Sequence, residues 1–216
     1  MKTKMKKITI ILTVLIALTI TTNAQWTQQT SGTTQNLWGV SFVNQNLGFV
    51  CGDTGTVLKT MDGGINWVPQ NSGTTKQLAG LQFIDANIGY AISYMDIGGV
   101  ILKSGNGGTT WTDISLNIPN AHSGGMWFFS ADTGLLAFGD NSIANSKILK
   151  TVNGGVSWDT VYTGGTGWLS FIHFPDKING YATVSGSGVL KTTDGGNSWT
   201  LLNNIGGNLW MSGVYF

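Results

Sequence analysis

The sequence predicts an all-β protein, a β-propeller built of four-stranded antiparallel blades. Three observations predict it. A nine-residue block recurs four times, as Lys59 to Trp67, Lys103 to Trp111, Lys150 to Trp158 and Lys191 to Trp199, with its tryptophans 44, 47 and 41 residues apart. Each repeat unit breaks into four short apolar or β-branched runs punctuated by Gly, Asp and Asn, the pattern of strands and turns. The chain holds 32 Gly with only 10% charged residues, and no stretch after residue 24 sustains a 3.6-residue apolar period. A four-stranded unit of just over forty residues is the size of one propeller blade.

Lys2, Lys4, Lys6 and Lys7 precede the apolar run Ile8 to Ile20, and Ala24 ends a small, polar stretch. This layout predicts a secretory signal peptide over 1–24, because the apolar run is too short to span a bilayer. The propeller then occupies 25–216. Its blades cover about 25–70, 71–115, 116–162 and 163–202, and 203–216 opens a further one. In the first unit the strands are expected at Leu37 to Val43, Gly48 to Cys51, Thr56 to Thr60 and Trp67 to Gln70. A phenylalanine six residues ahead of a glycine recurs as Phe42 and Gly48, Phe83 and Gly89, Phe128 and Gly134, and Phe174 and Gly180. The closing Asn208 to Phe216 repeats the opening of a blade, Asn36 to Phe42, with two extra residues. One strand cannot complete a blade, so the sequence reads as four blades plus the start of a fifth, an incomplete ring from a longer protein.

The composition excludes several kinds of chemistry. All eleven basic residues are Lys and all ten acidic residues are Asp, so there is no guanidinium clamp and no Glu acid, base or nucleophile. After the leader, seven Lys face ten Asp, a formal charge of −3 and no electrostatic footprint for nucleic acid. Cys51 is the single cysteine, so no disulfide forms within the chain, and its apolar neighbours Phe49 and Val50 mark it as a small buried hydrophobe. No spacing suggests a metal site, and no cofactor is implied.

Within each block, Ser or Thr, then Asp or Asn two residues on, a Gly pair and a Trp form a hairpin turn with its own wiring. The box residues are Thr60, Asp62 and Trp67; Ser104, Asn106 and Trp111; Thr151, Asn153 and Trp158; and Thr192, Asp194 and Trp199. The acceptor oxygen ties the turn, the glycines accept positive φ, and the Trp pins the turn to the blade. Asn stands for Asp in two of the four copies, so charge is dispensable and the box is structural. The lysine ahead of each box is read as a solvated cation whose stem covers apolar surface.

This box resembles the Asp-box, or BNR repeat, of sialidases. The whole unit, with its Ser-Gly-Thr-Thr loop and its Phe-to-Gly spacing, is most similar to the photosystem II assembly and stability factor family of propellers found in secreted bacterial proteins. Sialidase catalysis does not carry over, because that family needs Arg and Glu. The resemblance implies a non-catalytic module, secreted or at the outer cell surface, that binds a protein or polysaccharide partner at the cell envelope, with no membrane span once the leader is cleaved. The alternative is an Asp-dependent glycoside hydrolase of the xyloglucanase type, drawing on Asp53, Asp96, Asp140 or Asp176.

The residue before the aligned Phe varies from unit to unit: Ser41, Gln82, Trp127, His173 and Tyr215. The first strand of a propeller blade borders the central channel, so these are the candidate ligand-facing residues, with ordinary packing between blades as the alternative. Trp168 and Trp210, in the loops between blades, are candidates for stacking on sugars or stapling neighbouring blades.

Overall fold

The computed structural model describes residues 27–93, 99–116, 118, 121–140, 146–164, 168–185 and 188–202. The expected leader, Asp96, Trp210, Tyr215, the strand opening expected at 203–216 and the side chain of Asp140 lie outside them.

Sixteen strands form four sheets. The first holds β1 (Leu37–Phe42), β2 (Gly48–Gly52), β3 (Val57–Thr60) and β4 (Val68–Gln70). The second holds β5 (Leu78–Phe83), β6 (Gly89–Ser93), β7 (Ile101–Ser104) and β8 (Thr112–Asp113). The third holds β9 (Ala121–Phe128), β10 (Gly134–Asp140), β11 (Lys147–Thr151) and β12 (Asp159–Thr163). The fourth holds β13 (Leu169–His173), β14 (Gly180–Val184), β15 (Gly188–Thr192) and β16 (Thr200–Leu202). Each is an antiparallel meander in sequence order, and no α-helix occurs among the described residues. The sheets are the blades of a propeller. The first strands β1, β5, β9 and β13 neighbour one another in turn.

The core lies between blades rather than within them. Phe49, Cys51 and Val57 of the first blade pack on Leu78, Leu81 and Phe83 of the second. Ile92 and Ile101 of the second pack with Leu136, Phe138 and Leu149 of the third, and Leu135, Ala137 and Ile148 of the third with Leu169, Ile172 and Phe174 of the fourth. Both faces of an inner blade are therefore buried, which explains the weak polar alternation of the strands. Burial pushes the Cys51 thiol up to about 12, so it is inert as a nucleophile. The first blade's leading face differs: Phe42 is 46% exposed where the aligned Phe83 is 6%.

The recurring Phe and Gly are cross-strand partners over the turn between first and second strands, as in Phe42 with Gly48 and Phe83 with Gly89. In all four blades the Phe ring occupies the space that a Cβ on the Gly would need, at 2.2 to 2.5 Å. No residue but glycine fits there. The box Trp meets that ring edge-on in every blade, at 5.8 to 6.3 Å between centroids and 82 to 84° between planes. On the other side, Phe49 stacks on Phe83 and Tyr90 on Phe128, both at 3.5 Å, joining successive blades.

Each first strand carries a β-bulge at one equivalent place. The register slips between Leu37 and Gly39, between Leu78 and Gly80, and between Leu169 and Phe171, and in the third blade opposite Ala137 and Phe138. The bulged residues are Trp38, Ala79, Gly124 and Ser170. A bulge takes a residue out of the ladder and re-aims its side chain.

Candidate functional site

The four boxes occupy the turns between third and fourth strands. In the first, Thr60 Oγ1 donates to Asp62 Oδ1 at 2.8 Å and accepts from Gly64 N, while Asp62 Oδ1 accepts from Asn66 N at 2.9 Å. The same three bonds recur through Ser104 and Asn106, Thr151 and Asn153, and Thr192 and Asp194. The second side-chain atom is matched to what stands four residues on. Asp62 and Asp194 accept from Asn66 Nδ2 and Ser198 Oγ, whereas Asn106 and Asn153 donate to Thr110 Oγ1 and Ser157 Oγ. Asp and Asn thus serve one turn with opposite polarity. The donors hold both carboxyls low, Asp194 to about 2 chiefly through Ser198 and Asp62 chiefly through the Asn66 backbone. The box tryptophans are half-buried rather than mostly enclosed, and each sits just ahead of its last strand. Trp111 and Trp158 donate Nε1–H to Gly108 and Gly155 carbonyls, whereas Trp199 Nε1 is buried with no partner among the described residues.

Three of the four lysines ahead of the boxes are not solvated cations. Lys59 Nζ donates to the Gly107 carbonyl in the next blade's box at 3.1 Å, Lys103 to Gly154 at 3.0 Å, and Lys150 to Gly195 at 2.9 Å. Lys59 and Lys103 also lie over the Phe49 and Tyr90 rings, each at 5.5 Å. The period of the repeat hid this role, because the acceptor is a backbone carbonyl some fifty residues away.

The first strands line a half-open central cavity of about 750 Å³. Ser41, Gln82, Trp127 and His173 all line it, with Trp38, Met126, Phe171 and the glycines Gly39, Gly80, Gly124 and Gly125. Two of the four candidate ligand-facing groups are already engaged across blades. Ser41 Oγ accepts from Phe83 N at 2.9 Å, and the Gln82 amide both accepts from Phe128 N and donates to Phe128 O. Trp127 meets His173 edge-on at 5.0 Å. None of the described residues lining the cavity is a Lys or an Asp, and burial lowers the His173 pKa, which favours the neutral imidazole. The result is an uncharged, largely apolar chamber.

Trp38 is the residue that sequence reasoning missed. It is 56% exposed, and its Nε1–H donates to Asp53 Oδ1 at 2.7 Å. Asp53 also accepts from Asn36 Nδ2 and from Gln77 Nε2 of the second blade, and Trp38 leads the donors that hold its carboxyl below the ordinary range. Asp176 serves a turn of its own, bonded to Ile178 N and to Asn179. Trp168 lies against Gly139 of the preceding blade, where a Cβ would meet it at 3.3 Å. No cluster of three His, Cys or Asp side chains suited to a metal occurs among the described residues, and no helix there is long and apolar enough to cross a membrane.

Residues 18–124, just under half of the chain, match the family described as photosynthesis system II assembly factor YCF48. The chain is a BNR-type β-propeller resembling the YCF48 family. Among solved structures, YCF48 from Cyanidioschyzon merolae superposes with a TM-score of 0.65 at 22% identity, over 82% of this chain and 59% of that one. A structure of YCF48 bound to a D1 peptide gives 0.62 at 20%, over 79% and 55%. The GH74 enzyme of Niastella koreensis gives 0.58 at 18%, over 76% of this chain and 24% of its own. These likenesses show the fold. The propeller spans between 55% and 59% of the length of the two YCF48 chains. No curated protein matches the sequence significantly.

Proposed function

We propose that this propeller is an exported, non-catalytic binding module at the cell surface, and that its central cavity receives an uncharged, apolar segment of a partner protein. The observation that carries the reading is the cavity wall: aromatic and small side chains from all four first strands, with no formal charge. An occupant with charged side chains would find no Lys or Asp among the lining residues to pair with. A polysaccharide, the other partner class that the repeat suggests, needs many free donors and acceptors, and Ser41 and Gln82 are already engaged. The YCF48 structure with a bound D1 peptide is a precedent for peptide capture on this fold. The leader-like residues 1–24 support export.

The hydrolase alternative needs a carboxyl that can deliver a proton. Asp53, the carboxylate bonded to a cavity-lining side chain, is instead an acceptor for three donors and held in its ionised form.

Peptide display against the purified protein tests the reading. Selected sequences should be uncharged and apolar, and they should shift the Met126 methyl resonance inside the cavity. Selection of acidic or basic sequences, or release of reducing sugar from xyloglucan, would contradict it.

A further inference from the structure

We propose that Trp38 is a ring-stacking platform in the central cavity, and that it takes a prolyl or aromatic ring of an uncharged peptide segment. The proposal rests on the reading of the cavity as a peptide site and assigns the residue that gives that site its selectivity.

All four bulged residues line the cavity, but three are Ala79, Gly124 and Ser170. Of the four described blades, only the first places a large side chain at this level, and the small residues of the other three leave room for an occupant. Gly124 cannot be enlarged, since a Cβ there would fall 1.5 Å from the Leu169 carbonyl oxygen of the fourth blade. The asymmetry of the ring at this level is therefore built in.

Trp38 is also fixed in place. An indole that is 56% exposed has little packing to hold it, yet its nitrogen is tied to Asp53 at 2.7 Å. Asp53 is held in turn. Its backbone N–H donates to the Asn36 carbonyl, its side chain accepts from Asn36 and Gln77, and its carbonyl accepts from Thr56 N. The next residue, Thr54, has φ 54° and ψ 31°, the only non-glycine among the described residues with positive φ. A threonine in the left-handed region costs energy and persists only where its surroundings over-determine it. Ser72 of the following loop, donating to the Gly55 carbonyl at 2.7 Å, closes that turn. A strained, multiply bonded turn thus holds one exposed ring in one orientation.

An aromatic side chain fixed before binding loses little freedom when a ring settles on it. With the polar groups of Ser41 and Gln82 engaged, ring contact is a selectivity that the wall still offers. Prolyl and aromatic rings offer such contact without a charge.

The test uses the full chain and three blocked peptides: acetyl-Gly-Pro-Tyr-Pro-Gly-amide, acetyl-Gly-Leu-Leu-Leu-Gly-amide and acetyl-Gly-Asp-Tyr-Asp-Gly-amide. Binding is followed at the Met126 methyl and the Trp38 indole N–H by NMR. The Pro-Tyr-Pro peptide should bind more tightly than the other two. Trp38→Ala should weaken it about tenfold or more with the melting temperature nearly unchanged, and Trp38→Phe should restore most of the loss. Asp53→Leu should weaken it and move the indole N–H resonance, as expected of a positioning residue. If the leucine peptide binds as well and Trp38→Ala is neutral, the platform is wrong while the cavity reading stands. If no peptide moves the Met126 methyl, the cavity reading fails and takes the platform with it.

Discussion

The turns that carry the boxes and the first strands around the cavity belong to the same repeats, yet they obey opposite rules. At the boxes, four copies make the same bonds with the same spacing, and Asp and Asn replace one another by reversing the polarity of a single contact. Around the cavity, equivalent positions hold Ser41, Gln82, Trp127 and His173, or Trp38, Ala79, Gly124 and Ser170, and no two blades agree. Uniformity marks what every blade needs in order to pack on its neighbour. Divergence marks where the blades jointly face something that is not a blade.

Mutations can break or sharpen this contrast, and the largest effect belongs to the packing between blades. Phe83→Ala removes a ring stacked on Phe49, met edge-on by Trp111 and covering Gly89, and should cost about 3 to 5 kcal/mol in chemical denaturation. Phe42→Ala, at the open leading face, should cost about 1 to 2 kcal/mol because that ring keeps much of its exposure when folded. Equal costs at the two positions would show that the interface between the first and second blades adds nothing to what one blade provides.

A smaller effect belongs to the lysine tethers. Lys103→Met retains the apolar stem over Tyr90 but loses the bonds to the Gly154 and Ala131 carbonyls, so about 1 kcal/mol should be lost. No change would return these lysines to the role of solvated cations.

The smallest effect is expected within the box. Asp62→Asn needs only the Asn66 amide to turn over, so its melting temperature should fall less than that of Lys103→Met. Asp194 adds a test in acid. Its folded pKa of about 2 lies below the unfolded 3.8, so its stabilisation is complete above 3.8 and is lost as pH falls through about 2. Asp194→Asn should therefore flatten the acid limb of the stability curve between those values. An unaltered limb would mean that its hydrogen bonds form equally in the unfolded chain.

The fold was legible because its signals repeat. Four boxes and four Phe-to-Gly spacings located strands to within a residue or two, as the expected Gly48 to Cys51 against the observed Gly48–Gly52 illustrates. What stayed hidden depends on partners the repeat does not display. The lysines bond backbone carbonyls of the next blade, and a carbonyl has no residue letter to align. Ser41 and Gln82 likewise find backbone groups of Phe83 and Phe128, which their variable identities disguised as freedom to meet a ligand. Trp38 was passed over because a bulge leaves no compositional trace. Its signal was present only as the one large residue among the four described blades, in a column otherwise holding Ala79, Gly124 and Ser170.

The most direct test of the division between boxes and first strands is a residue-by-residue perturbation map of the propeller by NMR during titration with an uncharged peptide selected for binding. The account predicts shifts at Trp38, Met126, Trp127 and His173, with the box indoles of Trp67, Trp111 and Trp158 unmoved. Shifts centred on the box turns, with the cavity residues silent, would contradict it.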